Sequence, residues 1–438
     1  MSAIDHLLDL AALPEAQLPA SARRIALFSL FDWMTCGRAG IGEPLAAILR
    51  DVIASEGGHA VASVIGGGGL PARAAALVNG ATSHALDYDD THFGHIGHPS
   101  VAIYPAALAV GEQVGAGGAD VVDAFLLGAE ASVRLGMVLG AAHYNRGFHQ
   151  TATAGAFGAT IAAGRLYGLT RDQMRAALGL CATRASGLKS QFGTMGKPYN
   201  AGLAASNGVE CAALARHGFT SADDGIEGQQ GFVPTHSDAP DPDAAWERAL
   251  PGIFLFEDVK YKFHACCHGT HAMIEALLAA RDSHGLSADP VRSIRLNTNP
   301  RWLSVCDIKA PRTGLEVKFS YNRIAGMVLS DIPTSDDRIY TDALAADPSL
   351  TAFARKITVV GDPGIGDMQA AGEIVLADGR AIAFFHDLAA RLPDDVIERS
   401  LRAKSRALLG DASETLWSAM TRIGTISARD LGSLLRSP

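Results

Sequence analysis

Residues 84–100 read HALDYDDTHFGHIGHPS, four histidines and three aspartates within seventeen positions. Imidazoles titrate near neutral pH and carboxylates orient them, so this density suits general acid–base chemistry. Two other readings compete. A metal site needs three or four such side chains to converge, yet the chain has neither HExxH nor a CxxC pair, the tighter grammars of zinc sites. A polar helix end facing solvent needs no function at all. Acid–base chemistry carries the most weight, and no residue is assigned as a metal ligand.

A helical pattern that begins at Pro71 and runs through Asp90 would put His84, Asp87 and Thr91 on one face, with Asp90 beside them. On that geometry Asp89 points elsewhere, and Asp89 and Asp90 cap or solvate the helix end. Pro99 would stop the helix and leave His92, His95 and His98 on the departing loop. His84, His92 and His95 receive no task.

Further segments share this chemical character. Arg146-Gly-Phe-His149 precedes a helix rich in small residues, and Gly193-Thr-Met-Gly-Lys197-Pro198 precedes one that Asn200 would cap. A lysine beside a helix N-terminus makes an anion site, because unpaired N–H groups and the dipole add to its charge. Lys262 lies in an apolar and aromatic setting, VKYKFHACC, where it is either exposed at an edge or buried beside an anion. Together these residues describe a pocket for a small polycarboxylate whose acidic C–H must be deprotonated.

The elements that would carry them are mainly helical as far as residue 260. Pro19 opens a helix that Gly37 would stop, and Thr170 with Gln173 forms a capping box. The cluster SVIGGGGLPARAAALVNG imitates a dinucleotide fingerprint, but Pro71 stands where the third glycine should be, so it reads as a loop. Beyond residue 290, VRSIRLNTN, ARKITVVGD and GEIVLADGRAIAFFHD alternate like half-buried strands, with a hairpin turn at Ala377–Arg380. Two helical segments, THAMIEALLAARDSHG and SYNRIAGMVLSD, lie among them. The expected fold is mainly α: a large all-helical domain, residues 1–267 and 396–438, plus a smaller α+β domain, residues 268–395.

The chain has 438 residues, 48% hydrophobic and 19% charged, with a net charge of −9 that predicts no affinity for nucleic acid or anionic membrane. The N-terminus lacks a basic region ahead of an apolar run, and apolar stretches such as VVDAFLLGAEASV are broken by acids and Arg. Six scattered cysteines read as reduced core residues, which predicts a cytoplasmic protein.

Four ordered motifs, NGATSHALDYDDTH…GHPS, RGFHQTATAGAFGA, GTMGKPYNAGLAASNGVECAALARHGF and KYKFHACCHGTH, resemble the MmgE/PrpD family. That family includes 2-methylcitrate dehydratase, cis-aconitate decarboxylase and iminodisuccinate epimerase. The resemblance implies a helical domain with a smaller α+β lid, a homodimer, and chemistry without metal or organic cofactor. It also implies site residues in a cleft between the domains. Asp87 and Thr91 fill the D-[FY]-D-D-T motif, His98 the H-P-S motif, His149 the R-x-F-H position and Lys197 the K-P position. Lys262 opens the second histidine cluster, and Tyr321 matches the tyrosine entering the lid helix. Asn200 and Arg146, from the residue reading, join Thr91 as substrate-binding candidates. After Lys262 the order Phe-His-Ala-Cys-Cys replaces the aromatic-Pro-Ala-His run of the decarboxylases. The leading expectation is a hydro-lyase on a 2-methylcitrate-like acid, and the alternative is an isomerase of the iminodisuccinate type. A cis-aconitate-type decarboxylase, a metal-dependent hydrolase and a non-catalytic carboxylate-binding protein rank below.

Overall fold

The computed structural model describes residues 2–243, 245, 246 and 252–436. The described chain is mainly helical, and it divides into two compact units, residues 1–261 with 409–438, and residues 262–408. The joints fall at 261/262 and 408/409, against 267/268 and 395/396 from composition. The helix Asp394–Leu409 therefore goes almost wholly with the second unit, although its return to helix suggested the first.

The first unit is built on helices that pack without side chains between them. Ala72–Ser83, Pro99–Val114, Gln150–Tyr167 and Gly196–Arg216 lie against one another. A Cβ on Gly202 would stand 2.3 Å from the Leu77 carbonyl oxygen, and one on Gly80 would stand 2.8 Å from the Gly202 Cα. Gly128 and Gly158 meet the same way, each blocked by the other's carbonyl. Small residues at the crossings therefore set the spacing of the helix axes, and fifteen consecutive residues, Gln150–Gly164, are buried on every side.

Several local signals act as read, and two do not. Thr170 and Gln173 form the reciprocal capping box. The glycine cluster turns a two-stranded antiparallel hairpin, β1 (Ala62–Ser63) with β2 (Gly69–Leu70). Gly37 does not stop its helix, which runs Ala20–Ala39; it is a buried contact point for Ile65. The helix Gly118–Arg146 is long and apolar enough to cross a membrane by composition, but its apolar window is 83% buried inside the fold. Two charges in its middle, Glu130 and Arg134, are paired at 2.7 Å and fully buried, and Glu130 also accepts from the Leu255 and Phe256 amides. Paired, they are compatible with a core helix.

The second unit holds a four-stranded sheet in the order β4-β3-β5-β6, where β3 is Val291–Thr298, β4 Ile357–Gly361, β5 Gln369–Leu376 and β6 Ala381–Asp387. β3 pairs parallel with β4 and antiparallel with β5, and β5 turns into β6 with Gly379 at φ +89°. The helix His271–His284 packs on β5 and β6 and against the helix Tyr321–Leu329.

Candidate active site

The site forms where the 72–83 helix gives out. That helix ends at Ser83, not Asp90, so the DYDD run is a turn and the predicted shared helical face does not exist. Asp87 takes φ +52°, a left-handed conformation that Asp tolerates better than most residues. Pro99 starts a helix where a stop was expected, because proline suits the first helical position. His98 is thereby its N-cap residue, fixed further by its amide donating to Thr151 Oγ1 at 3.0 Å. His149 likewise immediately precedes the Gln150–Tyr167 helix, and Lys197 sits in the first turn of Gly196–Arg216. Three helix starts thus present the three residues.

The turn reverses the expected roles of the aspartates. Asp89, expected to face solvent, is fully buried, with Oδ1 2.8 Å from His84 Nδ1 and Oδ2 2.8 Å from His98 Nδ1. The second contact is close but lies off the ideal hydrogen-bond line. Burial pushes the Asp89 carboxyl up, but the two imidazoles outweigh it and hold the acid below its usual range. Asp87 lies on the other side of His98, Oδ1 at 3.5 Å from Nε2, while its Oδ2 meets Lys197 Nζ at 2.7 Å. The groups form one chain, His84–Asp89–His98–Asp87–Lys197. Asp90 stays out of it, accepting from Ser100 Oγ at 2.6 Å and from its amide at 3.2 Å. Burial and the neighbouring Asp32 push the Asp90 acid up to about 7.

His149 differs from His98. Its Nδ1 faces the Asn200 amide nitrogen at 3.3 Å, so it accepts there and carries its proton on Nε2. Burial first, then His84, Lys197 and His98, keep it well below its usual range, and it is therefore a neutral donor. Asn200 does not cap its helix: it lies in the fifth position and its side chain bridges His149 and the Leu188 carbonyl.

The other expected members have partners of their own. Arg146 pairs with exposed Asp238 at 2.8 Å. Thr91 makes reciprocal backbone bonds with Lys260, and its hydroxyl reaches the Lys260 carbonyl at 3.4 Å. Lys262 and Tyr321 belong to the second unit. Lys262 is buried, and its charge helps hold His271 low after burial and two histidines. The Tyr321 hydroxyl donates to the Gly269 carbonyl at 2.8 Å and meets Thr298 Oγ1 at 3.0 Å, while burial raises its pKa and makes it a weaker acid. His92 and His95 are structural: His92 Nδ1 accepts the His95 amide, and burial pushes His95 down to about 3.

His84, Asp87, Asp89 and His98 each bring a ligand-type atom within 4.8 Å of the others, so a cation could be drawn there. Those atoms already face one another or Lys197, whose ammonium supplies positive charge at Asp87. Such a self-neutralising network suits proton movement better than an open ligand set. An imidazole between two carboxylates, a lysine and a neutral imidazole donor make an acid–base site able to hold an anion.

The MmgE/PrpD N-terminal domain matches residues 10–245 and the MmgE/PrpD C-terminal domain matches residues 264–388. The chain belongs to the MmgE/PrpD family. A cis-aconitate decarboxylase of Aspergillus terreus is 31% identical over 274 residues, 59% of this chain and 56% of that protein. The Homo sapiens cis-aconitate decarboxylase is 29% identical over 223 residues, 48% of this chain and 45% of that protein. The chain spans about half the length of the curated relatives it matches.

Proposed function

We propose that the protein is a lyase of small di- or tricarboxylates that works with side chains alone. The observation that carries this reading is His98 held between Asp89 and Asp87, with Lys197 on the outer carboxylate. Lys197 and the start of its helix hold a substrate carboxylate, which lets negative charge develop on the adjacent carbon. His98 exchanges a proton with the reacting group, and the neutral Nε2–H of His149 donates a hydrogen bond to developing charge. A hydro-lyase on a 2-methylcitrate-like acid is the leading form.

A second form, decarboxylation of a cis-aconitate-like acid, is favoured by the names of the matched relatives. Incubation with 2-methylcitrate, cis-aconitate and iminodisuccinate in D2O, followed by NMR, tests the proposal. Loss of water from 2-methylcitrate supports the leading form, and carbon dioxide release from cis-aconitate supports the second. Inversion with exchange on iminodisuccinate, or no reaction across a wider polycarboxylate panel, refutes the lyase reading.

A further inference from the structure

The chain contains a buried imidazole–carboxylate–imidazole unit whose inner member, His84, has no role in the site as described above. Asp89 is ionised and has no solvent exposure, and an unbalanced charge there would cost several kcal/mol. Two carboxylates stand in this network against one ammonium, Lys197. One imidazolium restores neutrality, and the question is which histidine bears it.

The surroundings decide. His84 Nδ1 faces Asp89, but its Nε2 is buried with no hydrogen-bond partner among the described residues. A proton there would be a buried donor without an acceptor, a loss of about 1–3 kcal/mol. His98 has a carboxylate on each side, Asp89 at Nδ1 and Asp87 near Nε2. We infer that His84 and Asp89 are positioning residues that make His98 a resting imidazolium: neutral His84 donates to Asp89 and turns its other oxygen toward His98, which rests with both ring nitrogens protonated.

His98 then acts first as an acid. In a dehydration, a base takes the C–H proton, and the electron pair of the breaking C–O bond leaves with the hydroxyl. The hydroxyl takes the His98 proton and departs as water, and His98 regains a proton from the group that received the C–H proton. In a decarboxylation, the pair of the breaking C–C bond stays on carbon, which takes the His98 proton as carbon dioxide departs, and solvent reprotonates His98. An epimerase that starts by abstraction at His98 does not fit. This consequence rests on the lyase reading; the protonation state does not.

Histidine-selective 15N NMR on the substrate-free protein separates the two. The chain has 15 histidines, so His84→Asn and His98→Gln identify the two signals. Near pH 7 the expected spectrum has His98 protonated at both nitrogens and His84 at Nδ1 only. In Asp89→Asn, His98 should turn neutral, with kcat on the order of 10^3-fold lower and KM within about threefold. His84→Asn, whose amide still donates to Asp89, should keep the His98 imidazolium and lose less than about tenfold in kcat. A neutral His98 in the unmodified protein, an imidazolium on His84, or an unchanged His98 signal in Asp89→Asn overturns the inference. If Asp89→Asn does not fold, the unmodified protein and His84→Asn still decide it. Absence of turnover on every polycarboxylate would strike the lyase reading alone.

Discussion

Asp90 gives the most direct quantitative test of the electrostatics beneath the site. It is fully buried one residue beyond Asp89, near Asp32, and its acid lies at about 7 instead of 3.8. A carboxyl raised on folding stabilises the fold fully below 3.8, and that contribution is lost as pH climbs through about 7. At 1.36 kcal/mol for each tenfold change in proton affinity, the swing has a ceiling of about 4 kcal/mol. Asp90→Asn resembles the protonated acid in shape and can keep both Ser100 contacts, so at pH 5, only a little above 3.8, it should exceed the unmodified protein by no more than about 1–2 kcal/mol. At pH 8 it should be more stable than the unmodified protein by about 2–4 kcal/mol. Urea unfolding of both proteins at pH 5 and pH 8 measures this, since other titrating groups cancel in the difference. A stability difference that does not change between the two pH values refutes a protonated Asp90.

Other expectations are briefer. Burial lowers His143 from 6.5 to about 4, so its contribution is present above 6.5 and is lost as pH falls through about 4. Unfolding at pH 7 and pH 4.5 should show His143→Gln losing less stability on acidification than the unmodified protein. Lys197→Ala removes the ammonium 2.7 Å from Asp87 and should lower kcat/KM at least about a hundredfold on whichever polycarboxylate is turned over. Near-normal turnover would take Lys197 out of the mechanism. Gly202→Ala drives a methyl group to 2.3 Å from the Leu77 carbonyl oxygen and should cost about 3 kcal/mol, read as a lower urea midpoint.

The secondary structure of the second unit was legible because its strands alternate and its turn carries Asp-Gly. The small-residue helices were legible as well, since alanine and glycine at helical spacing predict close crossings. The site was legible as a set of segments but not as a network. Extending the 72–83 helix by periodicity turned Asp89 outward, whereas the chain leaves the helix at His84 and Asp87 adopts positive φ. No residue-type rule marks that reversal; weak helix formers at DYDD were the available signal. Asn200 misled in a similar way. It is a favoured cap residue, but Gly196 starts the helix four positions earlier and leaves Asn200 free to orient His149. Arg146 was attractive by adjacency alone, and side-chain direction is not contained in adjacency.

The glycine crossings of the first unit have a consequence for change over time. Where backbone touches backbone, as at Gly80 and Gly202, there is no side chain to trim or enlarge by a methylene. The crossing cannot drift in small steps, and the helix that carries Lys197 in its first turn is registered against the 72–83 helix as in a jig. New substrate preferences in such a scaffold would have to arise in the turn after His84 and the segment before Lys197, leaving the helix frame unaltered.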